Sequence, residues 1–106
     1  MQRVFYAGGF FLTSDQIAAA VVDYAHAVVA SSRTDVVYVP IVEERTSRQT
    51  VATLLIGPST QILSLPVEIR GLTDPIDTEI IEELERRALL LGAPPAMPQA
   101  WREGIG

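Results

Sequence analysis

A chain of 106 residues is the length of one domain, and at that size roughly 65% of the surface exposed by the unfolded chain is buried on folding. The absence of cysteine excludes disulfides, thiolate metal sites and thiol nucleophiles, and agrees with a reducing cytoplasmic setting. The net charge is -5, and the eight cations are all arginines, scattered from Arg3 to Arg102, so there is no clustered basic face for nucleic acid. Lysine and asparagine are both absent, which reads as the codon pressure of a high-GC bacterial source. A secretory leader is not expected at the N-terminus, and no apolar run approaches the roughly 18 residues that a membrane helix requires.

Residues 3–7, Arg-Val-Phe-Tyr-Ala, read as a first strand, with Gly8-Gly9 as a bend or bulge before Phe10-Phe11-Leu12. A helix is expected from about Ser14 to Ser31. Thr13 is the expected N-cap, Gln16 completes a capping box, and Leu12 against Ile17 forms a hydrophobic staple. Ile17, Val21, Tyr24, Ala25 and Val28 recur at three- and four-residue steps on its apolar face, which Val22 and Val29 widen.

After a polar turn, residues 36–42 form a second strand, and Pro40 argues for an edge or a bulge because proline cannot donate to a ladder. The charged stretch 43–49 is a solvated hairpin loop. Residues 50–56 and 61–69 are apolar runs of strand length around Gly57-Pro58-Ser59-Thr60, which reads as a hairpin, and proline-free 50–56 is placed at the centre of a three-stranded meander. Asp74-Pro75 marks N-cap and first position of a second helix, whose apolar face is Ile76, Ile80, Leu84, Ala88 and Leu91, with Ile81 beside them. Glu82/Arg86 and Glu83/Arg87 are spaced for ion pairs. Gly92 and Pro94-Pro95 end it.

The expected fold is α+β, in the order β-α-β-β-β-α: a four-stranded mixed sheet, made of an antiparallel meander plus the N-terminal strand, with two helices packed on one face. Residues 1–92 form the domain and 93–106 a Pro/Gly-rich tail. Alternation puts Leu54 and Ile56 on one side of their strand and Val51 and Leu55 on the other, so both faces of the sheet carry aliphatic groups. Two helices on one face leave the other bare, which points to a partner surface and first of all to a homodimer.

The candidates for chemistry are few. Asp23-x-x-His26 places a carboxylate one helical turn from the only histidine, a spacing suited to a general base, with Tyr38 as a further donor, but no second histidine is present to complete a metal site. Gly8-Gly9 lacks the spacing of a phosphate loop, no serine lies in a nucleophile elbow, and the glutamates of the second helix read as a solvated face. No cofactor fingerprint is present. Arg45 and Arg48 on the polar loop have the fork geometry to grip a phosphate or an acidic partner, and Trp101 is an anchor for a groove of its own domain or of another chain. These features favour a noncatalytic protein–protein interaction module that self-associates through its sheet. The alternative is a small cytosolic enzyme or ligand-binding regulator with a pocket between the first helix and the sheet.

Overall fold

In the computed structural model, which describes residues 1–92, the chain runs β1 (Gln2–Tyr6), β2 (Gly9–Thr13), α1 (Asp15–Ala30), β3 (Asp35–Val42), β4 (Gln49–Ile56), β5 (Ile62–Pro66) and α2 (Thr78–Leu90). The class is α+β, as expected. The sheet, however, has five strands rather than four, in the order β4-β3-β2-β1-β5, and every neighbouring pair is antiparallel.

The added strand comes from the break at residues 7–9. Tyr6 pairs with Gly9, so Ala7 and Gly8 are the two central residues of a tight hairpin, and both have positive φ, 52° and 82°. That conformation is the type I′ turn, whose twist matches that of the strands it joins. Phe10-Phe11-Leu12 is therefore a strand of its own, and the direction of everything after it reverses: β3 returns antiparallel beside β2 rather than parallel beside β1. The two share one bridge, Leu12 opposite Val42, which leaves Asp35–Pro40 beyond the end of β2.

β3 is an interior strand of the sheet rather than an edge strand, but Pro40 sits past the end of β2, where the side of β3 away from β4 has no strand beside it. Glu43 N–H bonds the Arg48 carbonyl, so 43/48 is a hydrogen-bonded pair, and alternation makes Val42/Gln49, Pro40/Val51, Tyr38/Thr53 and Val36/Leu55 the pairs that do not exchange hydrogen bonds. The nitrogen of Pro40 thus faces away from β4, where no ladder asks for it, and its carbonyl accepts from the buried Thr13 hydroxyl at 2.7 Å. Nor do β4 and β5 form a hairpin. The Gly57–Thr60 turn is present, closed by Thr60 N–H to the Gly57 carbonyl and by Gly57 N–H to the Thr60 hydroxyl, but β5 crosses to pair with β1 and β4 is left as an edge, not the centre.

Two helix starts move inward from their expected positions. Ser14, not Thr13, caps α1, accepting Ile17 N–H on its Oγ at 3.1 Å, so Gln16 has no capping-box position. Asp77, not Asp74, caps α2 by accepting Ile80 N–H; Pro75 is buried ahead of the helix and Ile76 is left 85% exposed. Glu83, rather than Glu82, takes both arginines, Arg86 and Arg87.

The core forms where α1 meets the sheet. Ile17, Val21, Tyr24, Ala25 and Val28 are buried as expected, but Ala18, Ala20 and Ala27 widen the buried arc, whereas Val29 is exposed. Against them lie Val37, Val39, Leu54 and Ile56, while α1 also touches β1 and β5. The second helix packs on α1 through Leu84, with Ile80, Ile81, Ala88 and Leu91 around it. Introducing the favoured Asn-Gly pair by Ala7→Asn relieves an alanine held at positive φ and is expected to raise stability by about 1 kcal/mol in urea melts; an unchanged or lower midpoint would contradict the hairpin.

Candidate functional site

Cross-strand register fixes which side chains share a face. Arg3 stands opposite Leu12 and Leu65, Phe5 opposite Phe10 and Leu63, and Leu12 opposite Val42, which continues the same side into Val36, Tyr38, Pro40, Val51, Thr53 and Leu55. The other side, carrying Val4, Val37, Val39, Leu54 and Ile56, is the one α1 covers. On the side away from α1, Phe10, Val36, Tyr38, Val51, Leu55, Leu63 and Leu65 are each exposed, from 38% for Val36 to 58% for Val51 and Leu55. One charge belongs to this face. Arg3 lies with its guanidinium 5.0 Å from the centre of the Phe10 ring and pairs with Glu44 at 3.3 Å, so it is spread over apolar surface rather than held out in water.

Part of the face is concave. A groove of about 1050 Å³ opens at the end of the sheet, where the end of β4 approaches the ends of β1 and β5, lined by Phe5, Phe10, Leu55 and Leu63 of the exposed face, by Tyr6 and Ile62 of the α1 side, and by the 57–61 turn. Tyr6 bridges it: the phenol donates to the Leu55 carbonyl at 2.5 Å and accepts Leu55 N–H at 2.9 Å. One hydroxyl thus satisfies both outward backbone groups of one residue on edge strand β4, as a neighbouring strand would.

The sequence candidates do not gather at this groove. His26 is exposed on α1 and Asp23, half-buried one turn before it, is also on α1, whereas Tyr38 is exposed on the far side of the sheet. Arg45 and Arg48 are exposed in the 43–48 loop, whose backbone is fixed by the 43/48 bond and by Thr46 reaching Glu43 and Arg48 N–H. Trp101 lies outside the described residues. Among the described residues no group of three or more potential metal ligands comes together, and no helix is long and apolar enough to cross a membrane.

A polar cluster that sequence reasoning missed joins α1, β3 and α2. The Tyr24 hydroxyl donates to Asp35, Arg87 reaches the same carboxylate oxygen at 3.3 Å, and the Arg87 guanidinium lies 5.8 Å from the Tyr24 ring centre. Burial, then the bond to Asp35, pushes the phenol up to about 12, and the same bond holds Asp35 below its ordinary value. Tyr24 was legible as an apolar-face residue, but nothing local shows that residues 35 and 87 meet it. All three groups are engaged with one another, and the cluster ties the helices to the sheet rather than facing a cavity. No protein-family model, no curated protein and no solved structure matches this chain.

The two titrations give opposite slopes. Asp35 titrates lower in the folded chain, so its contribution is complete above the ordinary 3.8 and fades as pH falls below it; Tyr24 titrates higher, so its contribution is complete below 10.0 and fades as pH rises toward about 12. Tyr24→Phe is expected to cost about 1.5–3 kcal/mol at neutral pH, the range for a hydrogen bond to a charged group, and to flatten both limbs of the stability–pH curve. Urea melts across pH check this, and unchanged limbs would contradict it.

Proposed function

We propose that this chain is a noncatalytic protein–protein interaction module that self-associates through its β-sheet. The observation that carries the reading is the sheet face turned away from α1: seven large apolar side chains exposed together, two of them aromatic, with Arg3 the one charge among them and that charge laid over a ring. Interface centres are depleted of charge and enriched in aromatic residues and arginine, and contiguous apolar patches of this kind mark contact surfaces. In a chain of net charge -5, this face carries no unpaired acidic group, Glu44 reaching it only through its ion pair with Arg3, so two like-charged copies can meet here. The arrangement of the ionisable groups favours this reading over an enzyme, because His26 and Asp23 lie on α1 while Tyr38 lies across the sheet.

Light scattering on the purified full-length chain is expected to give a dimer at micromolar concentration. Leu55→Lys and Tyr38→Lys place a charge on the exposed face without touching the core, and each is expected to weaken association by roughly tenfold or more, the equivalent of one apolar side chain's burial, with circular dichroism unchanged. A monomeric parent chain would overturn the proposal.

A further inference from the structure

The backbone of β4 narrows self-association to one geometry. Leu55 directs its N–H and C=O away from β3, and by alternation so do Thr53, Val51 and Gln49. The outward groups of Leu55 are taken by the Tyr6 hydroxyl; those of Val51 and Thr53 have no partner among the described residues. Edge strands of this kind are normally blunted by charge, proline or a bulge. Gln49–Ile56 has no charged residue and no proline, and its eight consecutive pairs with β3 leave no room for a bulge. The other edge, β5, is shorter and ends in Pro66.

We propose that two copies of the chain pair β4 to β4, antiparallel, about a two-fold axis at Val51, joining two five-stranded sheets into one of ten strands. This rests on the self-association reading above and adds the seam and its register. An edge strand is its own complement under a two-fold axis, since outward donors and acceptors alternate identically on both copies. The register follows from Tyr6. With Leu55 occupied, the outward groups of Gln49, Val51 and Thr53 are the ones to be shared. The antiparallel register that uses all three on both copies sets Val51 opposite the partner's Val51 and Gln49 opposite the partner's Thr53. The side chains at these positions stand on the exposed face of the sheet, flanked by Tyr38 and Leu55, so the ladder supplies alignment and the flanking apolar groups supply burial. With no charge on β4, nothing on the strand opposes its like.

The chain's lack of cysteine makes the seam directly testable. Residues opposite one another in a hydrogen-bonded antiparallel pair have Cα atoms about 5.5 Å apart, inside the disulfide range. Val51→Cys in the full-length chain is therefore expected to become largely disulfide-linked dimer under mild oxidation, whereas Thr53→Cys and the β5 control Leu65→Cys remain largely unlinked. Thr53→Lys, at an exposed site, is expected to weaken association at least tenfold with circular dichroism unchanged. A parent chain that is dimeric by light scattering, but links through Leu65→Cys or fails to link through Val51→Cys, overturns the edge pairing while leaving self-association standing. A monomeric parent chain, whose edge is then left to solvent or to its own remaining residues, overturns both.

Discussion

The fold depends on the width of the apolar surface of α1. Eight of its sixteen residues are buried, spread by Ala18, Ala20 and Ala27 well beyond the stripe of Ile17, Val21, Tyr24 and Val28. A flat sheet covers a narrow stripe, and an arc of about half a helix's circumference needs covers at an angle to one another. The chain meets this with strands that touch α1 from both halves of a sheet joined by one bridge, and with α2 laid on the remaining side. The small side chains let these neighbours come close. The Tyr24–Asp35–Arg87 cluster fastens the same three elements where the apolar contact ends.

Covering α1 uses one face of the sheet; on the other, Leu12 and Val42 are buried and Gln49 reaches the Thr73 carbonyl, while Phe10, Val36, Tyr38, Val51, Leu55, Leu63 and Leu65 are left exposed. The two features on which the proposed self-association rests, an exposed apolar face and an open β4 edge, are thus consequences of how the core is closed. Tyr6 shows how far the domain goes in closing itself. It reaches from β1 to satisfy Leu55, one of the four residues of β4 whose backbone groups point outward.

What was legible in the sequence was local. The period of α1 and α2 and the alternation of β4, with Leu54 and Ile56 inward and Val51 and Leu55 outward, are set by neighbours within a few residues and can be read directly. The hairpin at Ala7-Gly8 was hidden because alanine rarely takes positive φ, so Gly8-Gly9 drew the break one residue too late and merged two strands. That one displacement changed the strand count and turned an antiparallel neighbour into an expected parallel one. The Gly57-Pro58 turn has the same local chemistry whether the next strand folds back on β4 or crosses to β1, and the choice is made by distant partners. Pro40 followed its physics and not its expected address: a missing N–H is tolerated wherever no ladder asks for it, and the stretch beyond the end of β2 is such a place. The candidate face was half legible, since Val51 and Leu55 announced it while Phe10, Leu63 and Leu65 required the register to be known.

The central claim is that the uncovered side and open edge of the sheet are completed by a second copy. Amide hydrogen exchange at Val51 and Thr53, followed by NMR over a dilution series of the full-length chain, tests it most directly. If the account holds, protection of these two outward amides rises with protein concentration while that of inward-pairing Leu54 stays constant. Fast exchange at Val51 and Thr53 at every concentration, or protection that does not change on dilution, would contradict it.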